Sequence, residues 1–232
     1  MVVSPTMRSL RPSALASGVI ILAPAMTGCP DGVRAEGGTI TGARSPGIDG
    51  TIDLSSEGTL DWKHWGHESA QGVNRKNVVP AQIGDFTIVG SNFDIIRVEY
   101  SDQHFAWSDG TPTPATTDGG AGIALDTPNP RGDGFQLRVF AEATPRVLRL
   151  YAGNWCVRAK LEASLSDGSA EPWRDNTWDV AHPVAETATY ILTYSAASSG
   201  EELMIDLTVD DNHCTSDDVG EVWLRAATLQ DG

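Results

Sequence analysis

Residues 146–165, RVLRLYAGNWCVRAKLEASL, decide the fold class. Leu148 and Leu150, then Val157, Ala159, Leu161, Ala163 and Leu165, stand on every second position. That period of two is what a strand with one buried and one wet face requires. The same alternation runs through FTIVG (86–90), IIRVEY (95–100), FQLRVF (135–140), ATYILTYSA (188–196), ELMIDLTVD (202–210) and VGEVWLRAATL (219–229). Turn dipeptides separate the runs: Asp109-Gly110, Asp118-Gly119, Asp133-Gly134, Asp167-Gly168 and Ser199-Gly200. No stretch holds a helical period for three turns with caps. Many short strands without crossover helices predict an all-β, antiparallel, jelly-roll-like β-sandwich over residues 50–230.

The 232-residue chain has 31 acidic against 16 basic side chains, a net charge of −15. A surface of that sign repels phosphate backbones, so nucleic acid is not the expected partner.

The N-terminus reads as an export signal. Arg8 and Arg11 precede the apolar run ALASGVIILAPAM (14–26), which is too short for a spanning helix, since that needs about 20 residues. It ends in Met26-Thr27-Gly28-Cys29, which resembles a bacterial lipobox, so Cys29 is the expected site of lipidation and residues 1–28 the signal peptide. The alternative is an ordinary cleavage site near Ala25. Loss of residues 1–28 leaves 14 basic against 31 acidic residues, a net charge of −17. Residues 29–49 follow as lipidated cysteine and flexible tether, rich in Gly, Pro and Ser. The expected location is the bacterial cell envelope, with the lipid anchor as membrane contact. In that oxidising compartment Cys156 and Cys214 either bridge or remain separate buried thiols.

Several segments taken in order carry a family likeness: GTLDWKHWG (58–66), FAWSDGTPTPATT (105–117), GDGF (132–135), LRLYAGNWCVRAKLEASLSDGSA (148–170), YILTYSAASSGEELMIDLTV (190–209) and VWLRAATL (222–229). Together they resemble a β-sandwich module of secreted bacterial proteins that often sits beside glycoside hydrolases or carbohydrate-binding modules. The resemblance implies a fold and a polysaccharide-rich setting, and no particular reaction. Two features depart from that module: the cysteines at 156 and 214, and the fact that the module is almost the whole mature chain.

Seven tryptophans stand at 62, 65, 107, 155, 173, 178 and 223. An indole offers a flat apolar face for a sugar ring, with a polar edge. Trp223 alternates with Leu224 neighbours in a strand pattern and reads as core. Trp62 and Trp65, three apart, cannot share a face of a regular strand, so one points outward or the strand bulges. Trp173 and Trp178 fall in the polar stretch DGSAEPWRDNTWDVAHP (167–183), which reads as an exposed loop. The residues put forward for carbohydrate contact are Trp62, Trp65, Trp107, Trp155, Trp173 and Trp178, with Arg158 and Arg174 orienting hydroxyls. The five histidines show no HxH or HExxH spacing, so they predict no transition-metal site. Loop carboxylates, Asp109 and Asp167 foremost, are the candidates for a structural calcium, against a plainly solvated acidic surface. Neither a GxSxG elbow nor a phosphate-cradling glycine loop occurs. Glu99, Glu142, Glu162 and Asp206 lie at strand positions and keep open a small glycosidase or lyase. The leading expectation is a non-catalytic, surface-anchored lipoprotein that binds a carbohydrate polymer. The alternative is a structural or protein-binding lipoprotein with no glycan ligand.

Overall fold

The computed structural model describes residues 37–232 apart from 79, 91–93, 100–101, 128–129 and 216–218. The expected signal peptide (1–28) and Cys29 therefore lie outside the described residues. The regular secondary structure of the described residues is nearly all strand, and it forms an antiparallel, jelly-roll-like β-sandwich.

One sheet is built around β11 (Arg146–Trp155), β14 (Ala185–Ser195) and β16 (Glu221–Asp231). β1 (Thr39–Pro46) pairs with β14 at one edge; β3 (Asp61–Trp65), β4 (Val73–Lys76) and β8 (Gly110–Thr111) extend the sheet beyond β16. β9 (Ala121–Asp126) also pairs with β16 and carries β6 (Asp94–Glu99). The second sheet has the order β13 (Trp173–Asp179), β12 (Val157–Leu165), β15 (Glu201–Asn212), β10 (Gly134–Ala141), β5 (Thr87–Val89). The alternation read in the sequence is the inner face of these strands. Leu148, Leu150, Tyr190, Leu192, Leu224 and Leu229 meet Leu161, Ala163, Leu137, Val139, Ile205 and Leu207 in one core. Burial of apolar surface on that scale is the main stabilising term.

The larger sheet is covered on its other face as well. β2 (Gly50–Asp53) runs parallel to β7 (Gln103–Ala106), the one parallel ladder among the named strands, and one helical turn, α1 (Leu54–Glu57), follows β2. Asp53 caps that turn by accepting from the Ser55 and Ser56 amides, at 3.0 and 3.3 Å. Ile52, Leu54, Phe105 and Trp107 from this layer pack on Trp62, Tyr151 and Ala226 as a second, smaller core. Alternation along β11 turns Tyr151 toward this layer while Leu150 and Ala152 stay with the main core. A bulge at Arg225 of β16, opposite Tyr151 and Ala152, shifts that strand's core-facing residues from Leu224 to Ala227 and Leu229.

Two expectations need correction. Residues 39–46 of the supposed tether are a strand, aligned residue for residue with β14 from Thr39–Ser195 to Pro46–Ala188. Their small and polar side chains hide the signal, and the reason for one of them is steric: a Cβ on Gly42 would lie 2.5 Å from Cε2 of Trp173. The stretch around Trp173 and Trp178 is likewise not a loop but β13. A register shift between Ala159 and Leu161 of its partner breaks the period of two, so its buried residues, Asp175 and Trp178, stand three apart.

Candidate functional site

The larger sheet and its two covers settle the tryptophans. Trp62 and Trp65 do face opposite sides of β3, but neither reaches solvent: Trp65 enters the main core and Trp62 the second one. Trp107 is buried against Trp62, with ring centroids 5.2 Å apart, and its indole N–H donates to the Thr113 carbonyl at 2.9 Å. Trp178 is buried in the main core and donates to Glu186 at 3.1 Å. Trp223 is buried, as its pattern indicated. These four candidates, Trp62, Trp65, Trp107 and Trp178, have no free ring face to give a ligand. Trp173 is half-buried, and its exposed appearance in sequence is misleading: it lies over Gly42 and edge-on to Tyr190. Arg174 points away from it to Glu162, at 2.8 Å.

Trp155 is half-buried like Trp173, but it stands at the end of β11, where Cys156 turns the chain into β12 with a left-handed φ of 43°. The Cys156–Cys214 disulfide is formed, and the Cys156 carbonyl accepts the His213 amide at 2.9 Å. The bridge thus fastens the segment after β15 to the corner beside Trp155. His213 pairs through Nε2 with Asp179 Oδ1 at 2.6 Å. His182 sets its ring edge to face with Trp155, 6.1 Å between centroids. Asp179, Ala181, His182, His213 and Thr215 line an open depression at this end of the sandwich. Arg158 flanks it: aligned with Asp179 on one side and Asp211 on the other, it donates to Asp210 at 2.7 Å.

Of the eight ligand candidates, only Trp155 and Arg158 come together here. His182, His213, Asp179 and Thr215 were not among them, because nothing local marks them. The one usable signal was the cysteine pair, which, once bridged, carries His213 and Thr215 to the neighbourhood of Trp155.

The two calcium candidates lie apart and are engaged by protein donors. Asp109 accepts from Trp62 Nε1 at 2.8 Å, from Lys76 Nζ at 2.7 Å and from the Ser55 hydroxyl. Asp167 ties two turns together through the amides of Ser169 and Ala197, at 2.9 and 3.0 Å. Among the described residues no three His, Cys, Asp or Glu side chains gather as a metal-ligating group. As for the acid–base pair that hydrolysis needs, Glu162 and Asp206 are direct cross-strand neighbours. Arg174, with Lys160 in support, holds the Glu162 carboxyl below the usual carboxylate range, the reverse of what a general acid requires.

Comparison with known proteins finds no matching family model, no matching curated protein and no matching solved structure.

Proposed function

We propose that this chain is a non-catalytic lipoprotein of the bacterial cell envelope, anchored through Cys29, whose β-sandwich binds a carbohydrate polymer at the Trp155 depression. The observation that carries the reading is the partly buried Trp155 set edge to face with His182, itself a lining residue of the open depression. Stacking on the indole supplies apolar contact, while Asp179, His182, His213 and Thr215 present donors and acceptors of the kind sugar hydroxyls pair with. The disulfide supports the exported location, since such bridges persist in oxidising compartments.

The test is a titration of glycan fragments against wild type and Trp155→Ala. Loss of one stacked ring is expected to weaken binding by about 1.4 kcal/mol, about tenfold in Kd. Binding unchanged by the substitution would remove the site. Repeating the titration with a chelator tests calcium in the same experiment, and membrane partition of Cys29→Ala tests the anchor.

One observation favours the second reading, a structural or protein-binding lipoprotein: five of the seven indoles serve as core. Failure of every glycan to bind would select it.

A further inference from the structure

His64 is wholly buried on the outer face of the larger sheet, beneath the β2–α1–β7 layer. Its Nε2 bonds the Gly119 carbonyl at 3.0 Å. Its ring lies 5.3 Å from Trp107 and 5.4 Å from Phe105, centroid to centroid, and 6.0 Å from His67. The charged or titratable neighbours that act on it are His67, from the turn after β3, and Arg225, from β16. Both are basic. Arg225 is itself fully buried, donating to the Gln103 side chain at 2.5 Å, the Gln103 carbonyl at 2.7 Å and the Gly120 carbonyl at 2.9 Å. Asp118, next to Gly119, turns its carboxylate to His104 at 2.6 Å and to solvent. From β7 and the strand-like bridge at Trp107 the rings of Phe105 and Trp107 face it, with Gln103 of β7 bonded to Arg225 and His104 to Asp118, and from β4 comes Asn74, whose oxygen accepts from Thr113.

We propose that residues 103–120 form an acid-released cover: protonation of His64 unfolds this segment, with β8 leaving its partner β4, and bares the His64 and His67 rings.

The geometry gives the reason. A proton on His64 would place a cation in a dry aromatic site facing Arg225 and His67. Moving the cover away hydrates it. The main core lies on the other face of the sheet, so its packing does not depend on the cover. Burial holds the His64 imidazole down at about 3, whereas the uncovered ring returns to about 6.5. The open state therefore binds the extra proton, and opening grows as pH falls through 6.5 toward 3. Between pH 7.5 and 4.5 the opening equilibrium rises about 100-fold.

Amide hydrogen exchange of the protein at pH 7.5 and 4.5, corrected for intrinsic exchange chemistry, tests this. The amides of Trp107, Thr116 and Gly119 are bonded to carbonyls of the same segment, those of Thr116, Trp107 and Phe105, so they exchange only when the segment unfolds. They are expected to lose about 100-fold of their protection at the lower pH, while those of β14 and β15 keep theirs. In His64→Gln the pH effect on the cover is expected to vanish. Protection that holds throughout, or falls equally in the cover and in β14, overturns the proposal. The comparison of segments within the wild type decides it even if the variant does not fold. The outcome is independent of whether the Trp155 site binds glycan.

Discussion

Removing the Cys156–Cys214 bridge, by Cys156→Ala with Cys214→Ala, tests how the functional end is held. The bridged residues are 58 positions apart. Loop-closure entropy for a ring of that size corresponds to about 4 kcal/mol at 25 °C. Against this stands Cys156, which keeps its left-handed φ only while the corner is clamped; relaxing a non-glycine residue from that region returns about 1 kcal/mol. The net expectation is a loss of about 3 kcal/mol, read by urea unfolding as a midpoint lowered by about 1 M with a steeper slope, because the unfolded chain without the crosslink is less compact. Local effects accompany it. Without the bridge the segment carrying His213 and Thr215 loses its covalent tie, so the emission of Trp155 shifts to longer wavelength and glycan binding weakens together with it. Native-state reduction is expected to be slow, because Cys156 is fully buried and makes a poorly solvated leaving thiolate. A midpoint within about 0.2 M of wild type would show that the 58-residue ring is already constrained in the unfolded chain, and the entropic argument would fail.

Asp61 is buried and its carboxylate accepts the amides of Trp62, Gln82 and Ile83, at 2.8, 2.7 and 2.8 Å, tying the loop before β5 to β3. Asp61→Ala leaves three buried N–H groups unpaired and is expected to cost about 4 kcal/mol, with Asp61→Asn costing less; equal stability of Asp61→Ala and wild type in thermal unfolding would contradict the bond assignment. Gly42→Val drives a side chain into the Trp173 ring and is expected to cost about 2 kcal/mol while exposing that indole to acrylamide. Unaltered quenching would mean that β1 does not cover Trp173.

How far the sequence could be read depends on how local each cause is. The strand faces of β11, β12, β14 and β15 follow from side chains two residues apart, so the sandwich was legible. β1 was not, because Thr, Gly, Ala and Ser carry no apolar stripe; its place is set by β14, nearly 150 residues away, and by the flat ring of Trp173 over Gly42. The correct inference that Trp62 and Trp65 face opposite sides led to the wrong expectation of an exposed ring, since the cover over Trp62 comes from residues 50–57 and 103–107. The same limit applies to the site. His182 and His213 carry no motif spacing; the bridge between distant cysteines brings His213 to Trp155, and the turn after β13, whose Val184 carbonyl accepts the Cys156 amide at 3.3 Å, brings His182.

The burial of five indoles changes what kind of binding the fold can sustain. A sheet packed on both faces needs large side chains in two cores, which accounts for Trp62, Trp65, Trp107 and Trp178, while Trp223 is buried against Gly153. One partly buried ring, Trp155, with a few hydrogen bonds corresponds to an affinity on the order of 1 mM, too weak to retain a free oligosaccharide. On the proposed reading, anchoring through Cys29 would alter that limit. Many copies held on one surface meet successive repeats of one polymer, and each engaged copy raises the effective concentration seen by the next, by 10²-fold or more, on the order that linked binding modules show. The consequence can be measured with the protein displayed on vesicles. A polymer should be retained at concentrations at least about 100-fold below those its short fragments need, and the difference should disappear when the protein is free in solution. Equal retention of polymer and fragment on the vesicle would mean that the Trp155 depression binds a compact ligand by itself, and the surface-array argument would not stand.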